Sequence, residues 1–194
     1  MTASVHTLAG GEDALSSMPR SRADERQRDV AQAHFASVWR FLRTLGVPST
    51  LLDDAAQEVF LVVARKLDRI RPGAERPFLF STAVHVAREV QRKHRREELA
   101  QDPDDERLEP ADSHTPEDSF EKKQKQDLLL LLLAGLTDEY RTTFVLYEIE
   151  GESVAEIAAI LDVPVGTVAS RLRRAREKFE ARLQKWQLTT RDRR

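Results

Sequence analysis

The sequence of 194 residues contains no cysteine. Disulfides, iron–sulfur clusters and cysteine-ligated zinc are therefore excluded, and a reducing compartment fits. Five histidines (His6, His34, His85, His94, His114) are scattered, and none forms a His-Glu-x-x-His pair. No Gly-x-x-x-x-Gly-Lys loop is present to cradle phosphates. No constellation offers a nucleophile, an acid–base pair or a metal site, so the chain does not read as an enzyme, and no cofactor is expected. Long apolar runs are missing as well. The longest, residues 128–133, falls far short of the ~20 residues that span a bilayer, so a buried helix is expected there and no membrane insertion. The opening stretch MTASVHTLAGGEDALSS has neither the basic start nor the apolar core of a signal peptide. These absences describe a soluble, cytoplasmic protein.

Charge is abundant, and it is segregated. The formal net charge of -2 averages an acidic middle, residues 98–121, with a basic end. Beyond Asp162 the acids Glu177, Glu180 and Asp192 face Arg171, Arg173, Arg174, Arg176, Lys178, Arg182, Lys185, Arg191, Arg193 and Arg194. A basic end of this kind calls for a polyanionic partner.

Residues 1–28 are small, polar and charged, and read as a mobile tail. From Asp29, the residues Val30, His34, Val38, Phe41, Leu42 and Leu45 recur at helical spacing until Gly46 and Pro48. A second helix starts at Asp53 and Asp54, whose carboxylates suit the positive end of the helix dipole, and carries Ala55, Val59, Val62, Val63 and Leu67. The segment RIRPGAERP (69–77) reads as a stiff loop, followed by a third helix from Phe78 to about Arg96. Residues 98–120, with Pro103, Pro110 and Pro116, form a self-repelling acidic linker. A second helical unit covers 121–187, and 188–194 is a basic tail. No alternating strand pattern occurs. The fold expected is all-α: two small helical domains, 29–97 and 121–187, on a flexible acidic tether.

The C-terminal unit carries the sharpest local signal. Ser153-Val-Ala-Glu156 has the form of a capping box. Val154, Ile157, Ala158 and Leu161 then share one face, and Asp162-Val163-Pro164 stops the helix, because proline disfavours helical geometry at the residue before it. Gly166 and Thr167 restart it. In the next helix Val168, Leu172, Ala175, Phe179 and Leu183 share the face to be buried. Ser170, Arg173, Arg174 and Glu177 lie opposite, with Arg171 and Arg176 on the flanks. A short capped helix, a tight turn and a longer basic helix make a helix-turn-helix over 153–178. Its arginines can neutralise phosphates, and residues near the helix start can reach base edges.

The run SVAEIAAIL…PVGTVASRLRRAREKF, with LTDEYRTTFVLYEIEG (136–151) before it, resembles region 4 of bacterial RNA polymerase sigma factors, most of all the extracytoplasmic-function (ECF) group. DDAAQEVFLVVARKLDRI (53–70) is similar to the family's region 2, which docks on the polymerase clamp helices. The resemblance places Asp54, Gln57, Glu58, Phe60 and Leu61 on the core-binding surface. Phe60 and Leu61 also widen the apolar band beyond the inward face, as a partner helix requires. The loop 69–77 and the next helix resemble the promoter-melting part of the family, which captures a base flipped out of the −10 element and holds the unpaired strand. That work needs backbone neutralisation and flat side chains. Arg69, Arg71, Arg76, Arg88, Arg92, Lys93, Arg95 and Arg96 supply the first; Phe78, Phe80 and His85 are the candidates for the second, with core packing the better reading for at least one of the two phenylalanines. The family usually carries tryptophan where Phe78 stands, asparagine at His85 and aspartate at Glu89. In the C-terminal helix, Thr167, Ser170, Arg171, Arg173, Arg174, Arg176 and Lys178 are the candidates for the −35 element.

The resemblance implies a sigma factor that directs polymerase core to −35/−10 promoters. The partners it implies are the largest-subunit clamp helices and the flap region of core, promoter DNA and an anti-sigma factor. An autonomous helix-turn-helix regulator, or a purely protein-binding module, is the alternative that the C-terminal unit alone would allow.

Overall fold

The computed structural model describes residues 22–100 and 118–191. Expectations for most of the N-terminal tail and acidic linker, and for 192–194, lie outside the described residues. All regular structure among the described residues is helical. Helix α1 (Arg22–Leu45) begins seven residues before the point where apolar periodicity starts, because Asp24 and Glu25 in its first turn complement the helix dipole. Its inner stripe is buried from Val30 through Val38, Phe41 and Leu42 to Leu45. Gly46, at φ +92, then turns the chain, in a conformation that a side chain would strain.

A 3₁₀ turn at Ser49–Leu51 leads into α2 (Leu52–Lys66), which buries Leu52, Ala55, Ala56, Val59 and Val63. A second 3₁₀ turn, Leu67–Arg69, precedes α3 (Glu75–Ala100). The sequence pattern delays this helix to Phe78, but Pro77 stands in its first turn, where an amide proton has no helical acceptor and proline is tolerated. Helices α1, α2 and α3 pack on one another around Phe41, Phe80, Leu79, Val84 and Ala87.

The second unit contains α4 (Asp118–Ala134), α5 (Asp138–Phe144), a wide π turn at Val145–Ile149, α6 (Val154–Leu161) and α7 (Val165–Arg191). Of the 128–133 run, Leu132 and Leu133 are buried while Leu131 is 55% exposed, as expected of a helix packed on one side. No helix among the described residues is long and apolar enough to cross a membrane.

The two units lie against each other. Helix α6 packs on α3, and α4 and α5 meet α1, so the buried apolar residues form one continuous cluster from Val30 to Ala175. Nothing in the hydrophobic pattern separates a face that closes a domain from a face that joins two.

Candidate polymerase and nucleic-acid interfaces

The helix-turn-helix is built from local chemistry. Ser153 Oγ accepts from the Glu156 amide at 3.2 Å, and the Glu156 carboxylate accepts from the Ser153 amide at 2.8 Å, completing the capping box. Hydrogen bonds from Ser153 hold the Glu156 carboxyl below its usual range. Helix α6 ends at Asp162, which takes the left-handed conformation (φ 52), and the Val163 amide returns to the Ala158 carbonyl at 3.0 Å. Pro164 offers its carbonyl to the Thr167 amide at 2.9 Å and opens α7. Val168, Leu172 and Ala175 are buried, and Ile157 and Ile160 of α6 are buried with them. The ring of Phe179 stacks on Phe144, centroids 4.7 Å apart, and fixes the second helix on α5.

This packing turns the basic face of α7 outward. Ser170, Arg173, Arg174, Arg176 and Lys178 are exposed; Thr167 and Arg171 are half-buried. Most of these cations are already oriented. Arg173 pairs with Glu177 at 2.6 Å, and Arg176 pairs with Glu148 at 2.6 Å while lying 5.1 Å from the centre of the Tyr147 ring. A hydrogen bond with Tyr140 raises the Arg174 pKa above its ordinary value, and Lys178 sits 6.0 Å from the same ring. The Ser170 hydroxyl donates to the Thr167 carbonyl at 2.9 Å.

On α2, Asp54, Gln57 and Glu58 are exposed and Leu61 is 48% exposed, while Phe60 is half-buried. Phe60 stacks on Phe35 of α1 with centroids 5.8 Å apart, and Phe35 is itself 46% exposed. Phe35, Phe60 and Leu61 thus make an apolar patch beside carboxylates. Phe35 was legible only as an apolar residue off the inner stripe of α1, and that signal is weak by itself.

The loop between α2 and α3 holds Arg69 and Arg71 exposed, with Gly73 at φ +88 and open space where its Cβ would stand. His85, Arg88, Arg92, Lys93, Arg95 and Arg96 are exposed along α3. Arg92 lies 3.8 Å from Glu89, and Arg95 lies 3.5 Å from Asp138 of α5. Phe78 is half-buried, with Lys66 Nζ 5.7 Å from its ring centre.

The packing removes two candidates for the −10 element, Phe80, which is the phenylalanine that belongs to the core, and Arg76. Phe80 is 1% exposed and meets Phe41 edge-on at 4.8 Å, so its ring offers no stacking face; it belongs to the buried apolar cluster. Arg76 is half-buried and reaches towards the second unit. Its Nε pairs with Glu152 at 2.6 Å, its Nη2 donates to the Glu150 carbonyl at 2.6 Å, and its guanidinium lies 4.9 Å from the Phe80 ring centre. Glu150 also accepts from the Ser37 hydroxyl at 2.8 Å. A second clasp is Arg141, which donates to the Leu45 carbonyl at 2.7 Å and to the Leu133 carbonyl at 3.0 Å. Burial pushes its pKa down, Asp138 opposes that shift and Arg95 adds to it.

Comparison with known proteins agrees with both halves of this geometry. Sigma-70 region 2 matches residues 30–97, and sigma-70 region 4 matches residues 126–179. A chain that joins these two regions is a sigma-70-type transcription initiation factor. The ECF RNA polymerase sigma-E factor of Escherichia coli K12 is 32% identical over 146 residues, which cover 71% of this chain and 76% of that protein. The ECF RNA polymerase sigma factor SigE of Mycolicibacterium smegmatis is 29% identical over 157 residues; the match covers 81% of this chain but only 61% of that longer relative. The chain belongs to the ECF family of RNA polymerase sigma factors.

Solved structures share the fold. CnrH, in complex with the cytosolic domain of CnrY, matches with TM-score 0.64 at 24% identity, covering 85% of this chain and 92% of that one. The sigma factor RpoE of Bartonella quintana, in complex with the anti-sigma factor NepR, matches with TM-score 0.68 at 22% identity, covering 82% and 98%.

Proposed function

We propose that this chain binds RNA polymerase core in the cytoplasm and directs it to a set of −35/−10 promoters. The observation that carries the reading is the presence of both sigma regions on one chain, each with its outward face exposed. The α2 patch of Phe35, Phe60 and Leu61, flanked by Asp54, Gln57 and Glu58, docks on the clamp helices of the largest subunit. The exposed loop tip and the basic face of α3, with Phe78 and His85, melt and hold the −10 element. The outward face of α7 reads the −35 element from the major groove, near the flap region. Two modest grips add through effective concentration once core fixes their separation.

Arg76 cannot pair with Glu150 and Glu152 and also with a DNA phosphate, so the packed arrangement is the resting form of the chain. An anti-sigma factor that binds this form and keeps the units together is the regulatory partner that follows. The RpoE structure, which shares the fold and was solved in complex with the anti-sigma factor NepR, supports an anti-sigma partner.

The test is reconstituted transcription: purified chain added to sigma-free core on −35/−10 templates. Promoter-dependent initiation is expected. No complex with core and no transcripts would reject the reading in favour of an autonomous DNA-binding regulator. Glu58→Arg is expected to abolish core binding without loss of fold, since Glu58 is exposed and makes no ion pair among the described residues.

A further inference from the structure

Arg26 stands in α1, N-terminal to the segment that region 2 matches, and sequence pattern assigns it to the tail. The fold carries it to the base of the loop between α2 and α3. There its Nη1 donates to the Leu67 carbonyl at 2.9 Å, and its Nη2 donates to the Ile70 carbonyl at 2.7 Å and to Glu75 Oε1 at 2.6 Å. The other oxygen of Glu75 accepts from the Gly73 amide. One guanidinium thus closes the loop at both ends: at the last carbonyls leaving α2 and at the residue that starts α3.

The contrast between base and tip is sharp. Ile70 is buried beneath the loop, while Arg71, Pro72 and Gly73 are exposed. Apart from Gly73 and its two chain neighbours, no heavy atom of the described residues lies within 4 Å of the position a Gly73 Cβ would take. The tip is therefore open to a ligand while its two ends are held by Arg26 and Glu75. A planar guanidinium donates along fixed directions, so it sets the spacing of the carbonyls it joins, which a lysine ammonium cannot do.

We infer that Arg26 is a positioning residue for promoter melting: it holds the 70–75 loop in the shape that receives an unpaired base of the −10 strand. The inference rests on the reading of this loop given under Proposed function. Base capture in a pocket requires a preset geometry, and groups that recognise a flipped base are held by supporting bonds one layer out. Arg26 touches no base itself. Its effect reaches the DNA through the backbone of Ile70 to Glu75.

The experiment compares the full-length wild-type chain with Arg26→Gln and Arg26→Lys in holoenzyme, on a −35/−10 promoter carrying 2-aminopurine at each −10 position in turn. In the wild type, one position brightens as its base leaves the stack. For Arg26→Gln, this signal and open-complex formation should fall about tenfold or more, within what a misplacement of about 1 Å can cost. Core affinity, −35 binding and helix content should be unchanged, and Arg26→Lys should recover only part of the signal. In the free chain, amide exchange at Gly73 and Ala74 should quicken in Arg26→Gln. A wild-type fluorescence change with unaltered signal and exchange in Arg26→Gln overturns the role of Arg26 and leaves the −10 reading intact. No fluorescence change in a wild-type holoenzyme that initiates at the promoter overturns the −10 reading and this inference with it. If Arg26→Gln lowers core affinity or helix content in parallel with the signal, Arg26 is a fold staple and the inference fails.

Discussion

Among single residues, the arginines of α7 show why a basic face is not a uniform one. Arg176 is held by Glu148 and the Tyr147 ring, and Arg173 by Glu177, so each must give up a carboxylate to meet a phosphate. Arg174 is held mainly by Tyr140, with a weaker attraction to Glu177, and stands on the outward face. Arg174→Ala should weaken −35 duplex binding by about 1–3 kcal/mol and relax preference at one base pair. Lys178→Ala should weaken binding across all sequences and lower the salt slope by about one, the signature of a lost phosphate contact. Titration of duplex affinity against salt for both variants separates the two roles.

Glu75 makes a second residue-level prediction. The hydrogen bond from Arg26 is the main reason its carboxyl titrates below the ordinary value of 4.5. A depressed pKa in the folded state means that the stabilisation is complete above 4.5 and is lost as pH falls through the lowered value. Glu75→Gln should therefore flatten the acid limb of the stability curve below that pH and leave its shape near neutrality unchanged. Urea unfolding at stepped pH measures this; an unaltered acid limb would show that the pair makes no difference to folding.

At the level of elements, the helix-turn-helix is fixed by short-range rules and its partners are not. The capping box at Ser153 and Glu156 forms as the pattern requires, because both bonds close within one turn. Ser153→Ala should cost about 1 kcal/mol, seen as a lower thermal midpoint, and reduce −35 binding only through the fold. Helix ends were harder to read. Helix α1 starts at Arg22 and α3 at Glu75, both ahead of the apolar periodicity, since a first turn needs acidic or proline residues rather than apolar ones. The apolar stripe of α7 was legible, and so was the excess of Phe60 and Leu61 on α2. That Phe35 from another helix completes the patch was not, because residues 25 apart in sequence meet only through packing.

For the whole molecule, the packed arrangement of the two units decides which groups are free. Glu150 and Glu152 keep only 7% and 6% of their side-chain surface, and both face Arg76. Arg76 itself keeps 39% of its side-chain surface, so salt reaches part of this attraction, while the two carboxylates depend on Arg76 for compensation. The double change Glu150→Gln and Glu152→Gln should open the molecule: a larger radius of gyration by small-angle scattering, and tighter binding of single-stranded −10 DNA by the free chain. An unchanged radius with unchanged DNA binding would show that the apolar contacts of α3 with α6 hold the units together unaided.

The sequence by itself determined the all-helical class, the helix-turn-helix with its capping box and outward arginines, and the family. All of these rest on spacings of three or four residues or on contiguous motifs, and helical geometry converts such spacings directly into faces. Tertiary structure alone decided that Phe80 belongs to the core, that Arg76 faces Glu150 and Glu152, and that Arg26 reaches a loop more than forty residues away. An aromatic ring or a guanidinium has the same local pattern whether it meets solvent, a distant carboxylate or a backbone carbonyl. Only the packing of one helix on another chooses between them.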